Sequence, residues 1–314
     1  MISVIILSKN NGDTLDACLK SVVNSLGLKE IIVVDAHSSD NTPSILEKYK
    51  NYIKVVYDEG KGIGLARNIG VLHSKGDIIC FVDADAFVSK DHFVKIKECF
   101  DRHREVGIVN VRFKEIVSDR VPYIQRMEAK IRLLREKSKT VFSKSEDSLA
   151  TGYFISFRRK VFDDVGGFWE FPPFGGDDYD FQLKVLAKGW KMAWISLDSW
   201  HRHRISLKEL LKEMWMWGKG KACFIIKWRK HPLVSVGFRR SFVTKLIKEP
   251  MLLAIVAYVF SPFLAVKYTV ASRSLSIYPY YVVRQYAFLF GFLWGLNTWA
   301  KKLVKMSGHY SCNV

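Results

Sequence analysis

Ile78-Ile79-Cys80-Phe81-Val82-Asp83-Ala84-Asp85 is the most telling stretch of this chain. Its apolar run, rich in β-branched and aromatic residues, predicts a short strand buried on both faces. Two carboxylates one residue apart stand where that strand leaves the sheet. Such a pair repels and loses hydration, so it is costly without a positive partner. A divalent cation meets that need, because hard oxygen ligands suit Mg²⁺ or Mn²⁺. The plain alternative is a loop with two solvated aspartates, and the flanking sequence decides between them.

Upstream, Ile2 to Leu7 predicts a strand, and Leu15, Cys18, Leu19, Val22 and Val23 give the next segment a helical apolar face. Ile31 to Val34 is a second strand ending at Asp35. Ser38-Ser39-Asp40-Asn41-Thr42-Pro43 opens a helix with cap formers and an early proline. A third strand at Lys54 to Tyr57, the loop Gly60-Lys61-Gly62-Ile63-Gly64 and a helix from Leu65 to His73 lead into the opening stretch. A helix near 91–101 and a strand from Val106 to Val111 follow. Strands alternating with helices imply a parallel α/β sheet, with ligands bound beyond the carboxyl ends of the strands. Asp35 and the Asp83/Asp85 pair both lie at such ends.

Residues 115–150 are polar and read as helical. Thr151-Gly152-Tyr153-Phe154-Ile155-Ser156-Phe157 returns to a strand pattern, and Val165-Gly166-Gly167-Phe168 is a turn. Phe174-Gly175-Gly176-Asp177-Asp178-Tyr179-Asp180 starts a helix that runs to Ala187. Acids in a first helical turn suit the helix dipole, and Asp177 or Asp180 could be simple capping. Three of them behind two glycines suggest an open, functional turn.

Charge is unevenly placed. Of the net +18, residues 201–314 hold nineteen Lys and Arg against three acids, while the first 200 residues are nearly neutral. Such a tail could meet nucleic acid or an anionic membrane. No nucleic-acid recognition motif accompanies it. Met251–Val266 and Gln285–Ala300 are each 16 residues without a charge, short of the ~18–20 of a membrane span. Extended past Lys267 and Arg284, whose heads could snorkel, they reach full length. The expectation is therefore a membrane-associated C-terminal region, with hydrophobic helices at about 250–272 and 277–300, either spanning or in-plane. Flanking basic residues suit a hairpin with both ends cytoplasmic. Met214-Trp215-Met216-Trp217-Gly218-Lys219-Gly220-Lys221 and Trp228-Arg229-Lys230 are expected along the membrane surface. The five cysteines show neither CxxC nor zinc spacing and read as reduced and structural. Met1-Ile2-Ser3-Val4 opens straight into a strand pattern, so no signal peptide is expected.

In order and spacing, five stretches resemble family 2 glycosyltransferases: Ser3–Asn10, Glu30–Thr42, Ala66–Gly70, Gly76–Asp85 and Gly175–Asp180. The resemblance covers about residues 2–220. It implies a GT-A type nucleotide-sugar-binding fold with a mostly parallel central sheet and a catalytic domain over 1–220, which leaves the basic, aromatic region read from composition over 221–314. It further implies an inverting transferase acting on a nucleoside-diphosphate sugar, UDP-linked by preference and GDP-linked as the alternative. By the same resemblance Asp35 contacts the nucleotide base, with Ser8 beside it, and Arg67 closes the nucleotide site. Asp83 binds ribose or the metal's water, and Asp85 ligates the metal directly. Asp178 is the catalytic base, with Asp177 beside it in place of the usual Glu. His201 completes the metal site, with His203 as runner-up. Asn10, Lys61 and Gly152 join the candidate substrate contacts.

Three positions depart from the family pattern: Leu7 in place of Pro, Ala36-His37 in place of Asp-Gly, and Asp177. None removes a group the chemistry requires. A hydroxyl is a weak nucleophile near neutral pH, so a carboxylate must take its proton as bonding develops. A divalent cation offsets the charge of the departing diphosphate. The expected acceptor is a lipid-linked or membrane-borne glycan, and the expected location is the cell membrane with the catalytic half cytoplasmic. The competing class is a non-catalytic, membrane-bound nucleotide-sugar-binding or scaffold protein. The joint presence of Asp83, Asp85 and Asp178 disfavours it. A sugar-1-phosphate nucleotidyltransferase would need a Gly- and Arg-rich loop where Ser8–Asp13 stands. A dinucleotide fingerprint is absent from the 60–64 loop.

Overall fold

The computed structural model describes residues 1–115, 121–135, 141–143, 154–171, 175–203, 205–228, 231, 256 and 259–307. It divides into two units. One holds Met1–Glu115, Lys137–Pro173 and Asp177–Arg202, and the other Ile116–Glu136, Phe174–Gly176 and His203–Val314.

The first unit is built on one nine-stranded sheet. Strands β1 (Ile2–Ser8), β2 (Lys29–Asp35), β3 (Lys54–Tyr57) and β4 (Ile78–Phe81) alternate with helices α1 (Leu15–Val23), α2 (Thr42–Lys48) and α3 (Ile63–Leu72). They pair in parallel, in the order β3-β2-β1-β4. Parallel neighbours need a crossover, which the helices supply. The predicted continuous apolar runs are justified by burial. Val4, Ile5, Ile6, Ile32, Val33, Ile79 and Cys80 are fully enclosed. Because Ser8 pairs with Asp35 and Ile5 with Phe81, the carboxyl ends of β1, β2 and β4 emerge along one edge of the sheet.

The rest of the sheet is mixed. After β5 (Ala86–Phe87), α4 (His92–Arg102) and β6 (Val106–Lys114), the chain adds β7 (Val141–Ser143), β8 (Ile155–Arg158), α6 (Arg159–Val165), α7 (Asp177–Ala187) and β9 (Lys191–His201). Strand β8 inserts antiparallel between β4 and β6. Strand β9 runs parallel to β6 and antiparallel to β5 and β7. At the end of β8, Arg158 donates to the carbonyls of Phe100 (2.6 Å), Val106 (3.0 Å) and His103 (3.2 Å). Arg159 donates to the carbonyls of Gly76 (2.8 Å) and Val71 (3.3 Å) and to Ser74 Oγ (2.7 Å). Two adjacent arginines thus satisfy carbonyls left open where α4 and α3 end.

The second unit contains α5 (Tyr123–Arg135), α8 (Leu207–Trp228), α9 (Ser261–Ser272) and α10 (Ile277–Ser307). Its core gathers Met127 and Ile131, Leu210 and Met214, Ala265, and Ile277, Tyr280 and Tyr281. Helices α8 and α10 meet through glycine. A Cβ on Gly218 would lie 2.1 Å from the Phe288 carbonyl oxygen, and one on Gly291 2.1 Å from that of Trp215. Only bare backbones can approach so closely.

Two membrane expectations are corrected here. Among the described residues no helix is long and apolar enough to cross a membrane. Helix α9 has 12 residues, about 18 Å, and residues 250–255, 257 and 258 of the first expected segment lie outside the described residues. In α10, Arg284 does not snorkel from a helix end. Its Nε donates to Glu128 on α5, which also accepts from Tyr280 Oη. Burial works to raise the Glu128 pKa, but Arg284 and the Tyr280 hydroxyl outweigh it and leave it below the ordinary value. Helix α8 does not lie open along a surface either. Met214, Gly218, Gly220, Ala222, Cys223, Phe224 and Ile225 are all buried, as expected of a helix apolar on most sides.

Candidate active site

Short β5 explains how the acidic pair meets its third partner. Ala86 pairs with His201 and Phe87 with Trp200, whose rings stack at 3.8 Å. The Arg202 amide donates to the Asp85 carbonyl at 2.9 Å. Pairing therefore sets the last residue of β9 beside Asp85, and His201 Nε2 lies 3.0 Å from Asp85 Oδ1. One ligand atom from each of Asp83, Asp85 and His201 can be chosen so that all lie within 4.8 Å of one another. Two carboxylates and an imidazole at that spacing fit a divalent cation, with Mg²⁺ or Mn²⁺ suited to the oxygens. Of the two histidines weighed, the cluster takes His201. His203 belongs to the second unit. Behind the acids, Cys18 Sγ contacts the Asp83 carbonyl at 3.5 Å, and burial, then Asp85 and Asp83, push its pKa well up. It stays a neutral thiol.

The ends of β1 and β2 are tightly organised. Asp35, 1% exposed, accepts from the Ser38 amide (2.9 Å) and Ser38 Oγ (2.6 Å). Beside it, the buried Ser8 hydroxyl has no hydrogen-bond partner among the described residues. Asn10 takes a left-handed φ of 55°, accepts from the Ser39 amide at 2.9 Å and donates its own amide to Ser38 Oγ at 2.8 Å. His37, at the departure from the family's glycine, also has positive φ (51°), and its ring stacks on Tyr57 at 5.2 Å. Lys61 is exposed and paired with Glu59. Gly152 lies outside the described residues.

Asp177 and Asp178 are separated by their surroundings. Asp177 is 3% exposed and forms an ion pair with Arg67 of α3, itself buried. The Arg67 guanidinium lies against two mutually edge-packed rings, 5.6 Å from the centre of Phe81 and 5.4 Å from that of Phe168. Burial alone would lower its pKa, but Asp177, Asp178 and Asp83 hold it above its ordinary value. A salt bridge thus occupies Asp177. Asp178, half-buried, anchors one oxygen on the Tyr179 amide at 2.8 Å, and Gln182 Nε2 donates to its carbonyl at 3.0 Å. Asp178 is therefore the acid of the pair with solvent access.

Sequence reasoning missed Phe81 and Phe168 as the walls of the arginine site, and it missed strand β9 altogether. A signal for the first lay in Gly64, where a Cβ would fall 2.1 Å from the Trp169 carbonyl oxygen, so the α3 start can only dock against the 167–170 segment as glycine.

A family profile described as glycosyl transferase family 2 matches residues 3–166. The cholesterol galactosyltransferase of Borreliella burgdorferi is 38% identical over 88 residues, covering 27% of this chain and 25% of that protein. The poly-beta-1,6-N-acetyl-D-glucosamine synthase of Staphylococcus aureus (strain MSSA476) is 26% identical over 201 residues, covering 61% of this chain and 45% of that protein. The chain thus spans less than half the length of these curated relatives. Among solved structures, the mannosyltransferase PcManGT of Pyrobaculum calidifontis, in complex with GDP-Man and Mn²⁺, superposes with a TM-score of 0.59 at 16% identity, covering 94% of this chain and 86% of that one. It shares the α/β fold. The profile match over half of the chain and the ordered acidic edge agree, and the chain belongs to glycosyl transferase family 2.

Proposed function

We propose that this protein is an inverting, metal-assisted transferase that moves a sugar from a nucleoside-diphosphate sugar to a hydroxyl of a lipid-linked or membrane-borne glycan, working at the cytoplasmic face of the cell membrane. The observation that carries this reading is the convergence of Asp83, Asp85 and His201, with Asp178 solvent-accessible and charge-coupled to the same arginine as Asp83. Asp83, Asp85 and His201 would hold the cation, which when bound supplies charge to offset the leaving diphosphate. The mixed oxygen and nitrogen donor set leans toward Mn²⁺, since Mg²⁺ prefers oxygen throughout.

Arg67, fixed in place by Asp177 and two rings, presents permanent positive charge to the nucleotide side. Asp35 and the Ser8 hydroxyl offer an acceptor and a donor to the base. Asp178 takes the acceptor hydroxyl's proton as the acceptor oxygen bonds to the anomeric carbon and the bond from that carbon to the diphosphate breaks, so that a single displacement inverts that carbon. UDP-sugars are the favoured donors, with GDP-sugars next. The GDP-Man bound by PcManGT motivates the second. The lipid acceptor named for the Borreliella relative motivates a membrane-borne one here.

The test is a panel of UDP-, GDP- and dTDP-sugars, with and without Mn²⁺, on the wild type and Asp85→Ala. The expected result is metal-dependent release of one nucleoside diphosphate, lost in the variant, with an inverted anomeric carbon in the product by NMR. Failure of every donor to bind would favour a scaffold role instead. A retained configuration would remove Asp178 as sole proton acceptor of a single displacement.

A further inference from the structure

We infer that the exposed face of α9 is the surface by which this protein docks, without spanning, on an anionic phospholipid bilayer. The inference deepens the membrane part of the proposed function and rests on it.

Helix α9 is apolar on two opposite faces. Ser261 and Ala265 are fully buried, and Tyr268 packs on Tyr281 of α10 with ring centres 4.8 Å apart. The opposite side carries Phe263, Val266 and Val270, spaced i, i+3, i+7 on one stripe. Phe263 is 73% exposed and Val270 71%. Phe260 extends the stripe, its ring 5.8 Å from that of Phe263. Leu275, in the turn that follows, is 86% exposed. Helices that are apolar all round belong inside a protein or against lipid. One side of α9 is satisfied by the core, and among the described residues the other side stays exposed.

Charge identifies the partner. Exposed Lys267, four residues on from Phe263, flanks the stripe, and exposed Arg273 ends the helix. From residue 250 to 314 there is no Asp or Glu. A second copy packed on this face would set lysine against lysine with no acid in either segment. Anionic headgroups supply the missing charge, and long basic side chains can rise to them while the apolar residues enter the acyl boundary.

The experiment is flotation of the full chain with phosphatidylcholine vesicles, with or without phosphatidylglycerol. The wild type is compared with Phe263→Ser/Val270→Ser, with Lys267→Glu/Arg273→Glu, and with Leu28→Ser as control. Leu28 is as exposed as the stripe but lies in the other unit. The wild type should float with the anionic vesicles and less so at high salt. The serine pair should weaken binding at least about tenfold, from the apolar area returned to water. The glutamate pair should abolish the preference for anionic lipid, and the control should change nothing. All three variants are at exposed sites, and a thermal melt verifies that each is folded. Equal flotation of wild type and serine pair, or none by either, overturns the inference. So does concentration-dependent self-association that the serine pair abolishes, which would make a second copy the occupant. Titration of UDP and GDP with Mn²⁺ on the same samples separates the two readings. Intact nucleotide binding with lost flotation isolates the docking face, and absent nucleotide binding strikes the catalytic reading alone.

Discussion

Replacing Asp177 with asparagine should destabilise the protein, and replacing Asp178 should disarm it. The two carboxylates are neighbours in sequence, so the contrast tests their assignment directly. Side chains of Arg67 and Asp177 are 9% and 3% exposed. Breaking such a pair from one side leaves a charge buried without its counter-ion, which typically costs about 3–5 kcal/mol. Asp178 and Asp83 still act on the guanidinium, which places Asp177→Asn near the lower end, about 3 kcal/mol. For a unit of this size that is a fall in Tm of about 6–12 °C. Arg67→Met/Asp177→Asn should recover part of the loss, because both charges then leave together. Asp178→Asn, at a half-buried position, should leave Tm nearly unchanged and lower kcat about 10²–10⁴-fold with KM for the donor held. Thermal denaturation and donor turnover on the three variants are the assays. The reasoning is refuted if Asp177→Asn melts like the wild type while losing turnover, since Asp177 would then be the proton acceptor. The Arg67 pKa is already raised, so its contribution is lost only as pH rises through the arginine range, and none of these melts should change with pH on its account.

Other outcomes follow from buried groups away from the site. His92 is fully buried, with Nδ1 2.6 Å from Ser199 Oγ, and burial lowers its pKa to about 3. Its folded value is depressed, so the unfolded chain takes the proton first. Stability should fall as pH drops from about 6.5 toward 3, with a slope near 1.4 kcal/mol per pH unit from this group. Urea titrations of His92→Gln should lose that part of the slope, and an unchanged slope would count against it. Glu128→Gln leaves the buried Arg284 without its counter-charge and should cost about 3–5 kcal/mol. An unaffected urea midpoint would show that the pair contributes nothing to joining α5 and α10.

The parallel half of the sheet was legible because its strands are buried on both faces and written as unbroken apolar runs. Its edge chemistry was legible for the same reason: Asp35, Asp83 and Asp85 interrupt such runs where the strands end. Strand β9 was not. Lys191–His201 mixes charged, polar and aromatic residues, because the strand is partly exposed along its length. Two-residue β5 falls below any pattern. The Arg67–Asp177 pair joins residues 110 apart, and no periodicity encodes such a contact. The second unit misled for a physical reason. Basic and aromatic residues around Gly218 and Gly220 have the composition of a membrane-surface helix, but the glycines serve close packing. The surface apolar stripe lies on α9 instead.

Strand β8 has a consequence for how the chain comes off the ribosome. The four strands before residue 82 can pair with one another as they are made, leaving only the outer edge of β4 waiting for β8. Strand β6 is complete at Lys114, yet its neighbours β8 and β9 begin only at Ile155 and Lys191. For some forty residues of synthesis, an apolar strand has neither flank covered. Bare edges of that kind invite chaperones and aggregation. A chain stopped at residue 150 should be cut within β6 by dilute protease while the full chain resists, and equal protection in both would mean that β6 finds shelter earlier. The vulnerable interval ends when β8 arrives and its two arginines close over the ends of α3 and α4.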